Sequence, residues 1–282
     1  MDGCAAAKDG VSEAQGDGMG QQVATDEALA RAVESTVIDY RWQYEGERAE
    51  SIDTGDALIQ ALKVPAGTHG FAGRFRLEAA HAAERLDALL AQAEKGGRRF
   101  LWITSPSSEP ADVSDLLVSR GIPRTIVWDG LVLRDLARPF EHGHGVTAEP
   151  LSRRNAADYA RMVARDSGEE STYGERLAAA LRLVESGQSE AQVFLGRIDG
   201  QAAGCAVLRI EPGGIAYLRN AFTVREFRHR GVYLALVTAR LASARAAGCT
   251  AAVVQAQIQS SSPVLRKRGF EPVCRLYGHM RP

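Results

Sequence analysis

The stretch VREFRHRGVY, Val224 to Tyr233, sets Arg228, His229 and Arg230 directly ahead of Gly231, after which an apolar helical pattern begins at once. The run before it, GIAYLRNAFTV, reads as a strand; the helix continues to about Ala247, and TAAVVQAQI follows as another strand. A strand, helix, strand crossover makes its two strands parallel neighbours in one sheet. The first turn of a helix carries unpaired N–H groups and the positive end of the helix dipole, which together seat an anion. Arginines add charge and forked donors. Gly231 lets the backbone come close to an oxyanion, so that the amides of 228–233 form a concave nest of diphosphate size. On charge alone a solvated basic turn is the competing reading. Its place at the carboxyl end of a central strand, where open α/β sheets put their ligands, favours a binding loop.

Outward from this loop the second half reads as helices over about 152–167 and 172–186. Three strands follow, AQVFLGRI, AAGCAVLRI and GIAYLRNAFTV, separated by the hairpin signals DGQ (199–201) and EPGG (211–214). Beyond the crossover come a short helix near 262–268 and a last strand over about 272–280. In the first half a helix starts at Asp26. RFRL (74–77) reads as a strand, 79–95 as a helix, RFLWIT (99–104) as a strand and 109–120 as a helix, with RTIVWDG and LVLRDL as two further strands. The expected class is α/β, with an α+β mixed sheet.

FLWITSPSSEPADVSDLLVSRGIPRTIVWDGLVL and AAVVQAQIQSSSPVLRKRGFEPVCRLYGHM share one plan: an apolar strand, a Ser/Pro-rich turn, a short helix ending in Arg-Gly-Ile or Lys-Arg-Gly-Phe, and another strand. This points to a duplicated fold. The helix at 79–95 follows GRFRLEA and has no Arg-rich, Gly-ended turn, so a single copy carries the loop. The expected division is a tail over 1–24, rich in Gly, Ala, Asp and Gln and without periodicity, a first domain over 25–138, a linker over 139–145 and a second domain over 146–282. His142 and His144 sit in that Gly-rich linker without Cys or carboxylate partners and read as solvated, not as metal ligands.

Composition narrows the function. A chain of 282 residues with 45% apolar and 24% charged residues is an ordinary globular protein. Its formal net charge of -1 argues against a general nucleic-acid or membrane-surface binder. The four cysteines, Cys4, Cys205, Cys249 and Cys274, form no C-x-x-C pair, so the reading is a reduced, cytoplasmic chain without a metal site. Nothing approaches the ~20 apolar residues of a bilayer span.

VREFRHRGVY resembles the acyl-CoA pyrophosphate loop of the GNAT N-acetyltransferases, which runs Val-x-x-x-Arg-x-x-Gly-x-Gly/Ala at the junction of the family's fourth strand and third helix. The matching positions are Val224, Arg228 and Gly231. VVQAQIQSSSPVLRKRGF is similar to the family's next motif, and the element order over 146–280 looks like the whole fold. The first half resembles a second, degenerate copy, as in tandem members. The resemblance implies tandem acyl-CoA N-acyltransferase folds, with acetyl-CoA as cofactor and a small-molecule amine as partner. Neither nucleic acid nor membrane is implied, and the state is a monomer or homodimer. It implies a cofactor loop of Phe222, Thr223, Val224, Arg228, His229, Arg230, Gly231, Val232 and Tyr233, with an oxyanion donor at a backbone N–H near Val224. Two positions depart from the pattern. Tyr233 stands where the family has Gly or Ala, so the helix start sits farther from the phosphates or the ring stacks on the cofactor. Leu265 stands where the family often places a tyrosine as general acid.

An alkylammonium has a pKa near ~10.4 and must lose its proton before it attacks a thioester, so a base, a water relay or desolvation is needed. Tyr217, Arg219 and Asn220 are polar residues in a central strand. Asn220 and Arg219 either face the acyl cleft or are satisfied structural groups, and Tyr217 is the replacement for the missing acid. Gln255, Gln257 and Gln259 share one face of the neighbouring strand and either line a gap between the parallel strands or form a wet edge. Glu169 and Glu170, between the first two helices of the second half, either draw in a cationic amine and act as base or are simply solvated. A non-catalytic acyl-CoA-binding protein and an enzyme for a protein or peptide amine stay open beside the small-molecule reading.

Overall fold

The computed structural model describes residues 25–38, 43–44, 47–48, 50–64, 67–93, 99–187 and 191–281. The expected tail over 1–24 lies outside them. In chain order the elements are α1 (Asp26–Ile38), β1 (Gln43–Tyr44), β2 (Glu47–Arg48), β3 (Glu50–Asp53), β4 (Leu58–Val64), β5 (Gly67–Gly73), α2 (Ala82–Ala93), β6 (Arg99–Thr104), α3 (Val113–Ser119), β7 (Arg124–Leu133) and β8 (Val146–Pro150). There follow α4 (Ala156–Asp166), α5 (Tyr173–Glu185), β9 (Gln192–Ile198), β10 (Gln201–Glu211), β11 (Ile215–Thr223), α6 (Val232–Ala246), β12 (Ala251–Gln257), α7 (Ser261–Arg266) and β13 (Glu271–His279).

Both hairpins expected in the second half form, β9 with β10 and β10 with β11, and β11 lies parallel to β12. Two expectations for the first half are corrected. RFRL is not a strand: β5 ends at Gly73, Arg74 turns the chain at φ 53°, and a single bridge joins Arg76 to Glu109. RTIVWDG and LVLRDL are one strand, β7, because Gly130 marks close packing and not a turn. A Cβ there would lie 2.3 Å from Cys274 Sγ and 2.6 Å from Val33 Cγ1. The strands from β1 to β5, and β8, carried no alternation strong enough to be read.

Eleven strands form one sheet in the order β3-β4-β5-β6-β13-β7-β12-β11-β10-β9-β8. The order shows a reciprocal exchange. The last strand of the second half, β13, pairs with β6 of the first, and the last strand of the first half, β7, pairs with β12 of the second. Each exchanged strand brings a buried polar side chain to a serine on the other half's short helix. On β7, Asp129 accepts from Ser262 Oγ at 2.5 Å and from Arg275 at 2.9 Å. On β13, His279 Nε2 lies 3.1 Å from Ser114 Oγ and 3.1 Å from Thr104 Oγ1, with Nδ1 3.3 Å from the Ile122 carbonyl. These contacts fix register where an apolar strand could slip.

On one face, α6 buries Val232, Leu236, Val237 and Leu241 against β8 to β11, joined by Phe140, Leu265 and Phe270. On the other, α4 and α5 cover β9 and β10, while α1, from the first half in sequence, lies over β7, β12 and β13 through Leu29, Val33 and Val37. Truncating any one of the fully buried leucines to alanine costs about 2–5 kcal/mol.

Candidate active site

The loop ahead of α6 begins with a 3-10 turn, Arg225–Phe227, and then places Arg228 in extended backbone, His229 at φ 62° and Gly231 at φ 92°. Two left-handed residues within three positions fold the chain back so that its amides converge. The first bond of α6 runs from the Ala235 amide to the Gly231 carbonyl at 3.1 Å, and no side chain caps the helix. The amides before Ala235 are therefore the orphan donors of the helix start. Arg228, His229 and Arg230 are exposed around them. Arg228 Nε donates to the Thr223 carbonyl at 3.1 Å, anchoring the guanidinium on the end of β11, and Arg230 lies 3.5 Å from Asp199 Oδ2 and over the Phe227 ring. Val232 is buried, and its close seat depends on Gly196 and Gly204, where a Cβ would come within 2.9 Å and 3.3 Å of Val232 Cγ1.

What needs Gly231 to lack a side chain is a protein contact. A Cβ there would lie 2.6 Å from the Gly143 amide, and one on Gly143 would lie 2.9 Å from the Arg230 carbonyl. The connecting segment is thus docked on the loop, pinned also by the Asp199 amide bond to the Gly145 carbonyl and by Phe140 against Phe270. His142 and His144 stay exposed, and no cluster able to hold a metal ion occurs among the described residues.

Beside the loop the sheet opens. β11 and β12 pair only over Ile215↔Ala251, Ala216↔Ala252 and Tyr217↔Val253, although β11 runs on to Thr223 and β12 to Gln257. Beyond that apex the two parallel strands part. Just past it β11 bulges: Val207 faces Arg219 and Cys205 faces Phe222, so Asn220 and Ala221 share Ala206. Asn220 takes φ 45°, a left-handed conformation that asparagine tolerates, and is exposed. Tyr217 stands at the apex, its ring in the cluster of Val33, Val132 and Val253 and 5.8 Å from the guanidinium carbon of buried Arg219. Loop, bulge and apex therefore meet around one notch.

Other candidates lie elsewhere or are engaged. The Val224 amide already donates to the Ala203 carbonyl at 2.9 Å, so this N–H is taken by the sheet. Gln255 Nε2 donates to the Val33 carbonyl and, at 2.9 Å, to Thr36 Oγ1, which ties α1 to β12. Gln257 is exposed at the end of β12, 3.5 Å from Ser260 Oγ. Glu169 is paired with Arg176 at 2.8 Å, and Glu170 opens an exposed 3-10 turn between α4 and α5. Tyr233 is half-buried against the α6 core, where burial raises its phenol pKa despite the charge of Arg240. Phe222 and Thr223 are half-buried at the end of β11, and Leu265 is wholly buried. Burial pushes the Cys205 thiol up to about 12, so it is no nucleophile.

The corresponding place in the first half is closed. β5 and β6 pair from His69↔Arg99 to Ala72↔Trp102, and the Leu77 and Glu109 amides then cross-link that opening to the Glu109 and Phe75 carbonyls at 2.9 Å each. Phe75 and Trp102 stack inside it.

Arg240 carries no local signal in the amino-acid sequence. This α6 residue is 1% exposed. Its Nε donates to the Leu236 carbonyl at 3.0 Å, and its NH1 to the Val207 carbonyl at 3.2 Å and the Arg219 carbonyl at 3.5 Å, the two residues that begin the bulge. A lone arginine in a helical pattern looks like a solvated face; only packing against β10 and β11 buries it.

Residues 158–270 match the family model of the acetyltransferase (GNAT) family. Among solved structures, a GCN5-related N-acetyltransferase from Kribbella flavida is similar with a TM-score of 0.62 at 17% identity, covering 90% of this chain and 95% of that one. One from Sphaerobacter thermophilus gives 0.58 at 16% identity over 84% and 79% of the two chains. A tandem GNAT protein from the clavulanic acid biosynthesis pathway, without AcCoA, gives 0.54 at 12% identity over 90% and 94%. At these identities the likeness is one of fold. Comparison with curated proteins gives no match. The chain thus carries a GNAT-family acetyltransferase domain at residues 158–270, within a fold shared with GNAT N-acetyltransferases, a tandem protein among them.

Proposed function

We propose that the protein transfers an acetyl group from acetyl-CoA to a primary amine of a small molecule. In this reading residues 146–282 form the catalytic domain, 139–145 the linker, and 25–138 a second copy whose own notch is closed. The observation that carries it is the uncapped start of α6, ringed by Arg228, His229 and Arg230, beside the open notch between β11 and β12. Orphan amides and arginines of this kind fit a diphosphate, and the notch gives an extended arm a way through the sheet. Acetyl-CoA supplies the activated thioester.

The chain's residues then divide the work. The amides ahead of Ala235, with Arg228, hold the diphosphate. The bulge at Asn220 turns a backbone amide toward the acyl oxygen, the part first expected near Val224. Tyr217, at the apex, is the proton donor for the departing sulfur, and Glu170 draws the ammonium toward the notch.

The test is calorimetric titration of acetyl-CoA into the wild type and Arg228→Ala, with free-thiol release followed over a panel of amines. Each charged hydrogen bond lost costs about 1.5–3 kcal/mol, so the variant should bind roughly 10- to 100-fold more weakly. Equal affinity refutes the loop assignment. Tight binding with no turnover on any amine replaces the enzyme by an acyl-CoA-binding protein.

A further inference from the structure

Arg240 is a buried cation, and among the described residues no carboxylate is within ion-pair distance of it. Removing a guanidinium from water without a counter-ion is costly, and a well-packed apolar side chain of similar size would generally serve stability as well or better. The titratable groups that act on its charge are the Tyr233 phenol and the Cys205 thiol, and burial raises the pKa of both. Its hydrogen bonds instead go to the backbone where β11 leaves regular pairing.

One of those bonds bears on the chemistry. NH1 donates to the carbonyl of Arg219, whose peptide partner is the amide of Asn220. That peptide is trans, so its C=O and N–H point in opposite directions. With the carbonyl turned toward Arg240 on α6, the Asn220 N–H points away from α6. A cation on the carbonyl draws electron density through the peptide and makes the N–H a stronger donor, as in any polarised hydrogen-bond chain.

We propose that Arg240 is a positioning residue for acyl transfer: it fixes the β11 bulge and polarises the Arg219–Asn220 peptide so that the Asn220 amide binds the acyl oxygen of the thioester. The inference rests on the acyl-transfer reading of the notch. It also gives the buried charge its missing partner, the negative charge that grows on that oxygen as the amine attacks. Such a group acts mainly on the chemical step and little on cofactor binding.

The experiment uses full-length protein and [1-13C]acetyl-CoA, with the carbonyl band read by difference infrared spectroscopy in the wild type, Arg240→Gln and Arg240→Lys. Binding to the wild type should move the band to lower frequency. Arg240→Gln should lose most of that displacement and Arg240→Lys should restore part of it. Turnover of Arg240→Gln should fall about tenfold, less than the loss of a direct oxyanion donor because the effect passes through a peptide, with KM for acetyl-CoA almost unchanged. A glutamine variant that keeps the wild-type band while losing activity assigns Arg240 to packing and overturns the inference, as does a wild-type band that stays where free acetyl-CoA absorbs. Failure of acetyl-CoA to bind the wild type at all overturns the reading of the notch itself. If the glutamine variant does not fold, the Asn220 amide proton of the wild type, followed by nuclear magnetic resonance, decides: a downfield move on adding acetyl-CoA supports the inference and an unmoved resonance ends it.

Discussion

Acid should loosen the join between the two halves through one histidine. The Ile122 carbonyl can only accept, so the His279 ring is assigned its proton on Nδ1, and Nε2 accepts from the hydroxyls of Thr104 and Ser114. A second proton would put a positive charge at a site with no exposure to water, close to Arg124. Burial first, and Arg124 after it, lower the pKa from 6.5 to about 4 against the opposing pulls of the Ile122 hydrogen bond and of the Asp115 charge. The unfolded chain therefore takes up this proton before the folded one. Stability from the neutral ring is whole above pH 6.5, declines as pH falls, and levels off below about 4. At 1.36 kcal/mol per pH unit the full window corresponds to roughly 3 kcal/mol, about 2 of which are lost by pH 5. For a chain of this size that lowers Tm by very roughly 4–8 °C. Asp129 does not blur the window. Desolvation raises its pKa, but hydrogen bonds from Ser262 and Arg275 outweigh that and hold it below 3.8, so its contribution is lost only at lower pH. The assay is thermal unfolding of the wild type and His279→Gln from pH 7.5 to 4.5. Parallel loss of stability by the two proteins across that range would refute the role of His279, for the pH dependence would then come from some other group.

Three more expectations concern the neighbouring contacts. Gly231→Ala places a Cβ in a left-handed conformation, costing about 1–2 kcal/mol, and presses it against the Gly143 amide; melting and acetyl-CoA titration should both show a loss, and an unchanged melting curve would mean that the linker yields freely. Asp129→Ala leaves buried Ser262 without its acceptor, at about 1–3 kcal/mol; a double-mutant cycle with Ser262→Ala should show clear coupling, and additive losses would deny the contact. Gln255→Leu removes the two bonds that hold α1 to β12, each about 0.5–1.5 kcal/mol; hydrogen exchange should quicken in α1 while β9 and β10 stay protected, and equal rates would place α1's anchorage in its apolar face alone.

Much of the second half was legible because its signals are local. Gly-rich turns fixed two hairpins, and a helix between two apolar strands fixed the parallel pair and the loop at its head. The first half was harder. Gly130 looked like a break in β7 when it is where Val33 and Cys274 crowd the strand, and RFRL has strand composition but is turned aside at Arg74.

By itself the amino-acid sequence determined the crossover, the hairpins and the basic loop at a helix start, since each depends on residues within a few turns of one another. Only the tertiary structure decided which strands are exchanged between the halves, that Gly143 lies against Gly231, that Gln255 holds α1, and that Arg240 is buried behind the bulge. Those facts depend on which distant surfaces meet, and a buried arginine and a solvated one are the same letter until packing removes the water.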